Sequence, residues 1–148
     1  VRMGNGGEEV FAPLLAHGTA DLVIAFEPGE AARVLSFLAP NGVLVTATTP
    51  IQPVTAALSS VPYRADRVVQ RLETQLAGKE ASFVAVDDAA LVRTIGSRKV
   101  LNTLLLARAL AAGHVPLDVD DLRHAIEVCV KPAFVQLNLS AIEAVVAS

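Results

Sequence analysis

The segment from residue 20 to 48 constrains the fold more than any other part of the chain. A strand is predicted over residues 21–26, because after Asp21 the run is apolar on both faces and contains β-branched side chains, which is typical of a buried strand in a parallel sheet. Pro28 suits the first residue of a helix, whose apolar face would comprise Ala31, Val34, Leu35 and Leu38. A Pro-Asn-Gly turn at 40–42 then precedes a second buried strand over 43–48. This strand–helix–strand unit is expected to be parallel and right-handed.

The rest of the chain changes from mixed elements to helices. The predicted elements are a polar helix over 64–77, a strand over 82–87, and helices over 88–95, 98–112, 118–130 and from 132 to 144 or beyond. A short strand at residues 9–11 interrupts an otherwise loop-like N-terminal segment. The predicted fold class is α/β, a Rossmann-like open parallel sheet with flanking helices and a helical C-terminal part.

The 148 residues suffice for one domain with its own core. A doubly wound domain usually begins with a buried strand, whereas this chain begins with a loop. We therefore expect residues 1–148 to form a single domain that lacks its first strand.

Composition narrows the classes of function. The net charge is −3 without a basic run, which argues against nucleic-acid binding, and no apolar stretch is long enough for a membrane span. Cys129 is the single cysteine, so this chain alone is not expected to hold a cysteine-ligated iron–sulfur cluster. We expect Cys129 to be a small buried residue of a helix. Cysteine usage and the absence of a signal peptide indicate a cytoplasmic protein.

Polar residues follow each predicted strand, where ligands collect in open α/β sheets. They are Glu27 and Glu30 after the first strand, Thr46, Thr48 and Thr49 in and after the second, and Asp87 and Asp88 after the third. Glu30 suits the electrostatics of a helix N-terminus, but glutamate is not a favoured N-cap residue. Glu27 is therefore the better candidate for a contact outside the fold. The threonines are interpreted as strand formers, and Asp87 as a helix cap.

Two asparagines and a basic pair complete the candidate residues. Asn102 and Asn138 lie on helices that are otherwise almost wholly apolar, so each amide is expected to be buried and hydrogen-bonded, either between helix and sheet or to a ligand or subunit. Arg98 and Lys99 begin a predicted helix and could hold an anion there, although solvated basic residues are the commoner case. No self-contained catalytic site is predicted.

The order of several segments resembles a known family. These segments are "VRMG" at the start, "ADLVIAFEPGEAARVLSFLAPNGVLVTATTPIQP", "VPYRAD", "VAVDDAALVRTIGSRKVLNTLLLARAL" and "NLSAIEA". They look like the gamma subunit or gamma domain of 2-oxoacid:ferredoxin oxidoreductases of the pyruvate and ketoisovalerate type. Among these, the chain is most similar to the beta subunit of the indolepyruvate type. The strand and glycine-rich turn that usually open this family are absent here.

The resemblance implies a role inside a larger enzyme. The complex would oxidatively decarboxylate a 2-oxo acid such as indolepyruvate or pyruvate, form an acyl-coenzyme A and reduce ferredoxin, whereas the isolated chain would be inactive. Thiamine diphosphate, magnesium and iron–sulfur clusters would be held by other subunits, and this chain would contribute to assembly or to the coenzyme A region. Self-association is a further option. The residues expected at a cofactor site or interface are Arg2, Glu27, Glu30, Arg33, Arg98 and Asn102.

Two alternatives remain open at this point. A stand-alone nucleotide-binding dehydrogenase would need a glycine-rich turn between a first strand and helix. A purely structural assembly module would need no ligand site at all.

Overall fold

A computed structural model describes residues 1–4, 6–51 and 63–147. The strands are β1 (Ala20–Ala25), β2 (Leu38–Ala47) and β3 (Ser82–Val86). The α-helices are α1 (Pro28–Val34), α2 (Ala65–Leu76), α3 (Asp88–Ile95), α4 (Leu101–Ala111), α5 (Val119–Cys129) and α6 (Pro132–Val146). Short 3₁₀ helices at Leu35–Phe37 and Arg98–Val100 precede β2 and α4.

The three strands form a parallel sheet with β2 in the centre. Leu22 to Ala25 of β1 pair in regular register with Val43 to Thr46 of β2. Val43 to Ala47 pair in turn with Ser82 to Val86 of β3. The predicted parallel strand–helix–strand unit is therefore confirmed, and the carboxyl ends of all three strands meet at one edge of the sheet.

Each face of the sheet packs against helices, as a parallel sheet requires. On one face, Val43, Val45 and Ala47 pack against Leu101 and Leu105 of α4. On the other face, Leu44 packs against Ala31 of α1 and against Leu72 and Leu76 of α2. The alternation of side chains along β2 thus divides the core into two halves, and both halves exclude water.

Helix α4 has a second apolar side that faces away from the sheet. Leu104 and Ala107, both fully buried, lie in a separate cluster with Ile126 of α5 and with Ala141 and Ile142 of α6. Because α4 lies between the sheet and the α5–α6 layer, apolar residues occur all round it. The predicted helical C-terminal part is confirmed, and it packs as an additional layer on the outer side of α4.

Several predicted details differ in the structure. Residues 9–11 are irregular, so the predicted short strand is wrong. The first helix ends at Val34, and Leu38 begins β2 opposite Ala20, although the spacing of Leu38 matched the helix face. Cys129 is exposed at the last position of α5, contrary to the expectation of burial. Within the ranges that the structure describes, no helix combines the length and apolar character that crossing a membrane requires.

The Pro-Asn-Gly sequence at 40–42 lies inside β2, where a turn was predicted. The register with β1 shifts at this point, because Ala20 pairs with Leu38 but Leu22 pairs with Val43. Gly42 lies against β1: a Cβ atom there would be 2.7 Å from the Ala20 carbonyl oxygen and 2.9 Å from Leu38 Cδ1. Only glycine allows the strands to approach this closely at the bulge.

We expect Gly42→Ala to destabilise the chain by about 1–3 kcal/mol, because the added methyl group must displace backbone atoms of β1. The measurement is the free energy of unfolding of the purified chain in urea. Asn41→Ala is the matched control, since Asn41 is exposed beside Gly42 and its change should stay within about 0.5 kcal/mol. Equal stability of the Gly42→Ala and wild-type chains would contradict the close approach.

Candidate functional site

The carboxyl edge of the sheet carries two groups of polar side chains. The first, the capping cluster, consists of Glu27, Gly29 and Tyr63 at the end of β1 and the start of α1. The second, the aspartate cluster, consists of Thr48, Thr49, Asp88 and Arg98 at the ends of β2 and β3. Both clusters contain a buried carboxylate, since Glu27 is 8% exposed and Asp88 is 0% exposed.

Glu27 is the N-cap residue of α1. It has an extended backbone (φ −159°, ψ 158°), and its side chain turns back over the first helical turn. Oε1 accepts a hydrogen bond from the Glu30 amide at 2.8 Å, and Oε2 accepts one from the Gly29 amide at 3.1 Å. These amides are helix-end donors without an intrahelical partner. The expectation that Glu27 is a poor cap is therefore wrong, while its contact with a ligand or subunit stays a prediction.

Tyr63 completes the capping cluster from a distant part of the sequence. Its hydroxyl donates to Glu27 Oε2 at 2.7 Å and accepts from the Gly29 amide at 2.9 Å. Burial, the hydrogen bond to Glu27 and the negative charge of Glu27 together raise the pKa of Tyr63 from 10.0 to about 12. A Cβ atom on Gly29 would lie 2.8 Å from Glu27 Oε1 and 3.1 Å from the Tyr63 hydroxyl. The glycine after Pro28 is thus needed for this arrangement.

Asp88, at the first position of α3, joins the ends of two strands. Its Oδ1 accepts from the Thr48 amide at 3.1 Å and from the Thr49 amide at 2.9 Å, which ties the chain leaving β2 to the start of the helix after β3. Oδ2 is buried and receives no hydrogen bond from the described residues. Arg98 Nη2 lies 3.4 Å from Oδ2, and the Arg98 side chain is 45% exposed. A buried carboxylate is costly without a countercharge, and Arg98 supplies one.

The other edge residues have local roles. Thr46 lies in β2 and donates its hydroxyl hydrogen to the Ala47 carbonyl, in agreement with its interpretation as a strand former. Thr48 lies just past the end of β2, so the same interpretation is wrong for it; its hydroxyl donates to the Val86 carbonyl. Asp87 caps α3 by accepting from the Ala90 amide, as predicted. An open groove adjoins both clusters, and its lining consists of Thr48, Pro50, Tyr63, Arg64, Ala65, Asp66, Val69, Gln70 and Glu73.

The remaining predicted site residues do not gather into one site. Glu30 and Arg33 form an ion pair on the exposed side of α1. Arg2 donates to the Ala12 carbonyl oxygen at 2.7 Å within the N-terminal segment. Asn102 is exposed on α4, so its predicted burial is wrong.

Asn138 is hydrogen-bonded, as expected, but it is only half-buried. Its Oδ1 accepts from the buried Thr103 hydroxyl at 2.6 Å, and its Nδ2 donates to the Phe134 carbonyl at 2.8 Å. The hydrogen bond between Thr103 and Asn138 joins α4 to α6, whereas one of the predicted alternatives was a bond between a helix and the sheet.

Tyr63 was not predicted as part of the site, and Asp88 appeared only as one of several polar residues at the edge. Tyr63 lies 36 residues from Glu27, so no local pattern connects them. Tyr63 is the single tyrosine of the sequence, and this was the feature that could have drawn attention to it. Asp88 directly follows the better N-cap candidate Asp87, and local spacing cannot show that its side chain reaches back to β2.

The single tyrosine makes the capping cluster directly measurable. We expect the tyrosinate absorbance of the folded chain to appear with a midpoint near pH 12, because Glu27 and burial disfavour the charged phenolate. The unfolded chain should titrate near its ordinary value of 10.0. The folded chain therefore retains the proton over this interval, and its stability should fall as the pH rises from about 10 to about 12.

Two variants check the assignment. Glu27→Gln removes the neighbouring charge and should lower the Tyr63 pKa towards 10.0. Tyr63→Phe should abolish the absorbance change and destabilise the chain by about 1–2 kcal/mol, because the Gly29 amide and Glu27 each lose a partner. A wild-type midpoint near 10 in the folded state would contradict the contact between Tyr63 and Glu27.

The donor set of the described residues does not suit a metal centre. Over residues 1–4, 6–51 and 63–147, no group of three His, Cys, Asp or Glu side chains is arranged to hold a metal ion. Cys129 is exposed at the end of α5, remote in sequence from both clusters. Arginine donors, by contrast, are available at the carboxyl edge, where Arg98 has no hydrogen-bonded partner among the described residues.

Comparison with known proteins relates the whole chain to one group. The family model described as "Pyruvate ferredoxin/flavodoxin oxidoreductase" matches residues 1–148. The indolepyruvate oxidoreductase subunit IorB of Thermococcus kodakarensis is 28% identical over 138 residues, which cover 93% of this chain and 67% of that subunit. The subunit of the same name from Methanothermobacter thermautotrophicus is 31% identical over 134 residues, with coverage of 90% and 66%. The chain thus spans about two thirds of these relatives.

The fold has a counterpart among solved structures. The gamma subunit of a keto/oxoacid ferredoxin oxidoreductase from Geobacter sulfurreducens superposes with a TM-score of 0.57 at 20% sequence identity, covering 88% of this chain and 67% of that one. The Rossmann-like fold class is therefore confirmed. The match of the family model over every residue carries the assignment further: the chain belongs to the pyruvate ferredoxin/flavodoxin oxidoreductase family.

Proposed function

We propose that this chain is the gamma-type component of a 2-oxoacid:ferredoxin oxidoreductase complex. The complex acts on a 2-oxo acid such as indolepyruvate or pyruvate. The observation that carries the proposal is the family match over residues 1–148. The names of the relatives support it, because they are indolepyruvate oxidoreductase subunits. Activity is a property of the complex, and the isolated chain is inactive.

The proposed reaction is an oxidative decarboxylation. The bond between the carboxylate and the carbonyl carbon of the 2-oxo acid breaks and carbon dioxide leaves. The acyl carbon becomes bonded to the sulfur of coenzyme A, whose thiol proton is released. An electron pair passes to ferredoxin, so the acyl carbon is oxidised while ferredoxin is reduced.

Other subunits hold the groups that perform this chemistry. Thiamine diphosphate with magnesium and the iron–sulfur clusters do not fit the described residues, which offer neither a cluster of three metal-binding side chains nor more than the single Cys129. We assign these cofactors to partner subunits. The complex is placed in the cytoplasm, with ferredoxin as its electron acceptor.

This chain contributes to the coenzyme A region and to assembly. Residues assigned to a cofactor site or interface are Arg2, Glu27, Glu30, Arg33, Arg98 and Asn102. Of these, Glu27 acts within the fold through the α1 cap, whereas Arg98 has guanidinium donors available at the carboxyl edge. Exposed apolar side chains of α5 and α6 support a contact with another subunit; they are Val128, Phe134 and Val146.

We further propose that residues 1–148 form one gamma-type domain to which a first strand is added beside β1. The open side of β1 supports this, because β2 pairs with only one edge of that strand in the described part of the chain. The apolar residues Leu22, Val23 and Ile24 are only half-buried although they point towards both helical layers. An additional parallel strand would cover them.

The function is tested by purifying the complex through a tag on this chain. We expect a thiamine-diphosphate-binding subunit to copurify and the complex to reduce ferredoxin only when both a 2-oxo acid and coenzyme A are present. Comparing indolepyruvate with pyruvate as substrates identifies the 2-oxo acid. Binding of NAD(P) to the purified chain, without a copurifying thiamine enzyme, would instead support the stand-alone dehydrogenase.

The assembly role is tested separately on the last helix. Phe134→Asp should dissociate the complex, because a carboxylate would replace an exposed apolar side chain at the proposed contact. Gln136→Glu is the matched control on the same helix and should leave the complex intact, since Gln136 is an exposed polar residue. If Phe134→Asp dissociates the complex while Arg98→Ala leaves its turnover unchanged, the chain is an assembly module only.

A further inference from the structure

An open pocket lies in the helical C-terminal layer, where the last turn of α4 meets the first turn of α5 and the end of α6. Its volume is about 430 Å³. Two arginines and two aspartates line it, namely Arg108, Arg123, Asp118 and Asp120. The apolar part of the lining includes Val146, which is 54% exposed. The pocket thus combines charges of both signs with apolar surface that water reaches.

Three of the four charged residues in the pocket have partners within the chain. Arg123 pairs with Asp120 and also with Glu143 of α6, to which its Nη2 donates at 2.8 Å. Asp118, the N-cap of α5, accepts from the amides of Asp120 and Asp121. The carboxylates of Asp120 and Glu143 therefore share one guanidinium, although their side chains are 81% and 63% exposed. One negative charge of this group is left without a countercharge.

Arg108 is the fourth charged residue, and its charge is not neutralised by any residue that the structure describes. It is half-buried in the last turn of α4, and over residues 1–4, 6–51 and 63–147 its side chain has neither an ion pair nor a hydrogen bond. The helix dipole favours a cation at this end of α4, but it does not satisfy the five N–H donors of a guanidinium. An unpaired cation and an excess carboxylate thus line the same pocket without pairing with each other.

We propose that this pocket is a self-association surface, in which Arg108 of each copy pairs with Asp120 of a second copy of this chain. A two-fold contact brings the same patch together from both sides, so a patch with an unpaired cation and an excess carboxylate is complementary to itself. Asp120 is accessible to a neighbouring molecule because its side chain is 81% exposed. Val146 and Leu117, which are 54% and 40% exposed, supply apolar area, while the two ion pairs fix the orientation of the copies.

The experiment measures the mass of the full purified chain by sedimentation equilibrium at micromolar concentrations. We expect the wild-type chain to form a dimer whose dissociation constant rises with ionic strength, because salt screens the ion pairs. Arg108→Glu should raise the dissociation constant by about tenfold or more, since both pairs of the dimer become repulsive. Arg93→Glu is the control: it reverses an exposed cation of α3 and should change the dissociation constant by less than about twofold.

A charge exchange between two variants tests whether the contact is direct. Asp120→Arg alone should also weaken the dimer, because its new cation would face Arg108 of the second copy. An equimolar mixture of the Arg108→Glu and Asp120→Arg chains should recover the wild-type dissociation constant. In that mixed dimer one ion pair is reversed in polarity and the other is the native pair, so both are attractive.

The outcomes also separate this inference from the proposed function. A monomeric wild-type chain, an Arg108→Glu dimer of unchanged strength, or a mixture of folded variants that does not recover the dimer would each overturn the inference. The Arg108→Glu result decides the question even if Asp120→Arg does not fold. None of these measurements depends on catalysis, so a complex that oxidises no 2-oxo acid would overturn the proposed function alone.

Discussion

The central strand β2 is buried on both faces, and every helical layer is placed relative to it. Val43, Leu44 and Val45 are each 0% exposed, so neither face of the sheet can be left to water. Covering both faces requires helices on opposite sides. The connections between strands supply α1 and α2 for one face, and α4, which follows β3 in the chain, covers the other. The hydrophobic burial of β2 therefore determines how the helical layers are arranged. The polar residues lie at the carboxyl edge because the strands end there.

At that edge, backbone amides neutralise buried carboxylates. Glu27 receives the amides of the first turn of α1, and Asp88 receives those of the chain leaving β2. Each carboxylate also has one side-chain partner from outside its own turn, a phenol for Glu27 and a guanidinium for Asp88. The negative charges are consequently fixed inside the fold, and the side chain left accessible in the aspartate cluster is a cation.

The sequence was most informative where burial acts through simple periodicity. Apolar runs and capping residues were sufficient to predict β1, β3 and the helices after residue 64, because those signals are local. The end of α1 was misplaced because Leu38 fits the helical spacing, whereas its pairing with Ala20 depends on the sheet. Asn102 was expected to be buried because α4 is apolar, but even a helix enclosed on two sides retains an exposed strip.

The candidate site was less predictable, because its contacts join distant positions. Glu27 and Arg98 were identified as polar residues at the right places, yet their actual partners, Tyr63 and Asp88, were not assigned to them. A side chain that serves as an unusual N-cap can be recognised only when its geometry is known. Long-range pairs of this kind require the tertiary structure, because no periodic signal connects Glu27 with Tyr63 across a separation of 36 positions.

Helix α4 belongs to two of the three hydrophobic clusters, one against the sheet and one against α5 and α6. The outer helical layer cannot detach without exposing Leu104 and Ala107 to water, and the sheet cannot open without losing Leu105. This shared helix couples the two halves of the domain into a single cooperative unit. Its backbone amides should accordingly be among the slowest to exchange with solvent, because their release requires the opening of the whole domain.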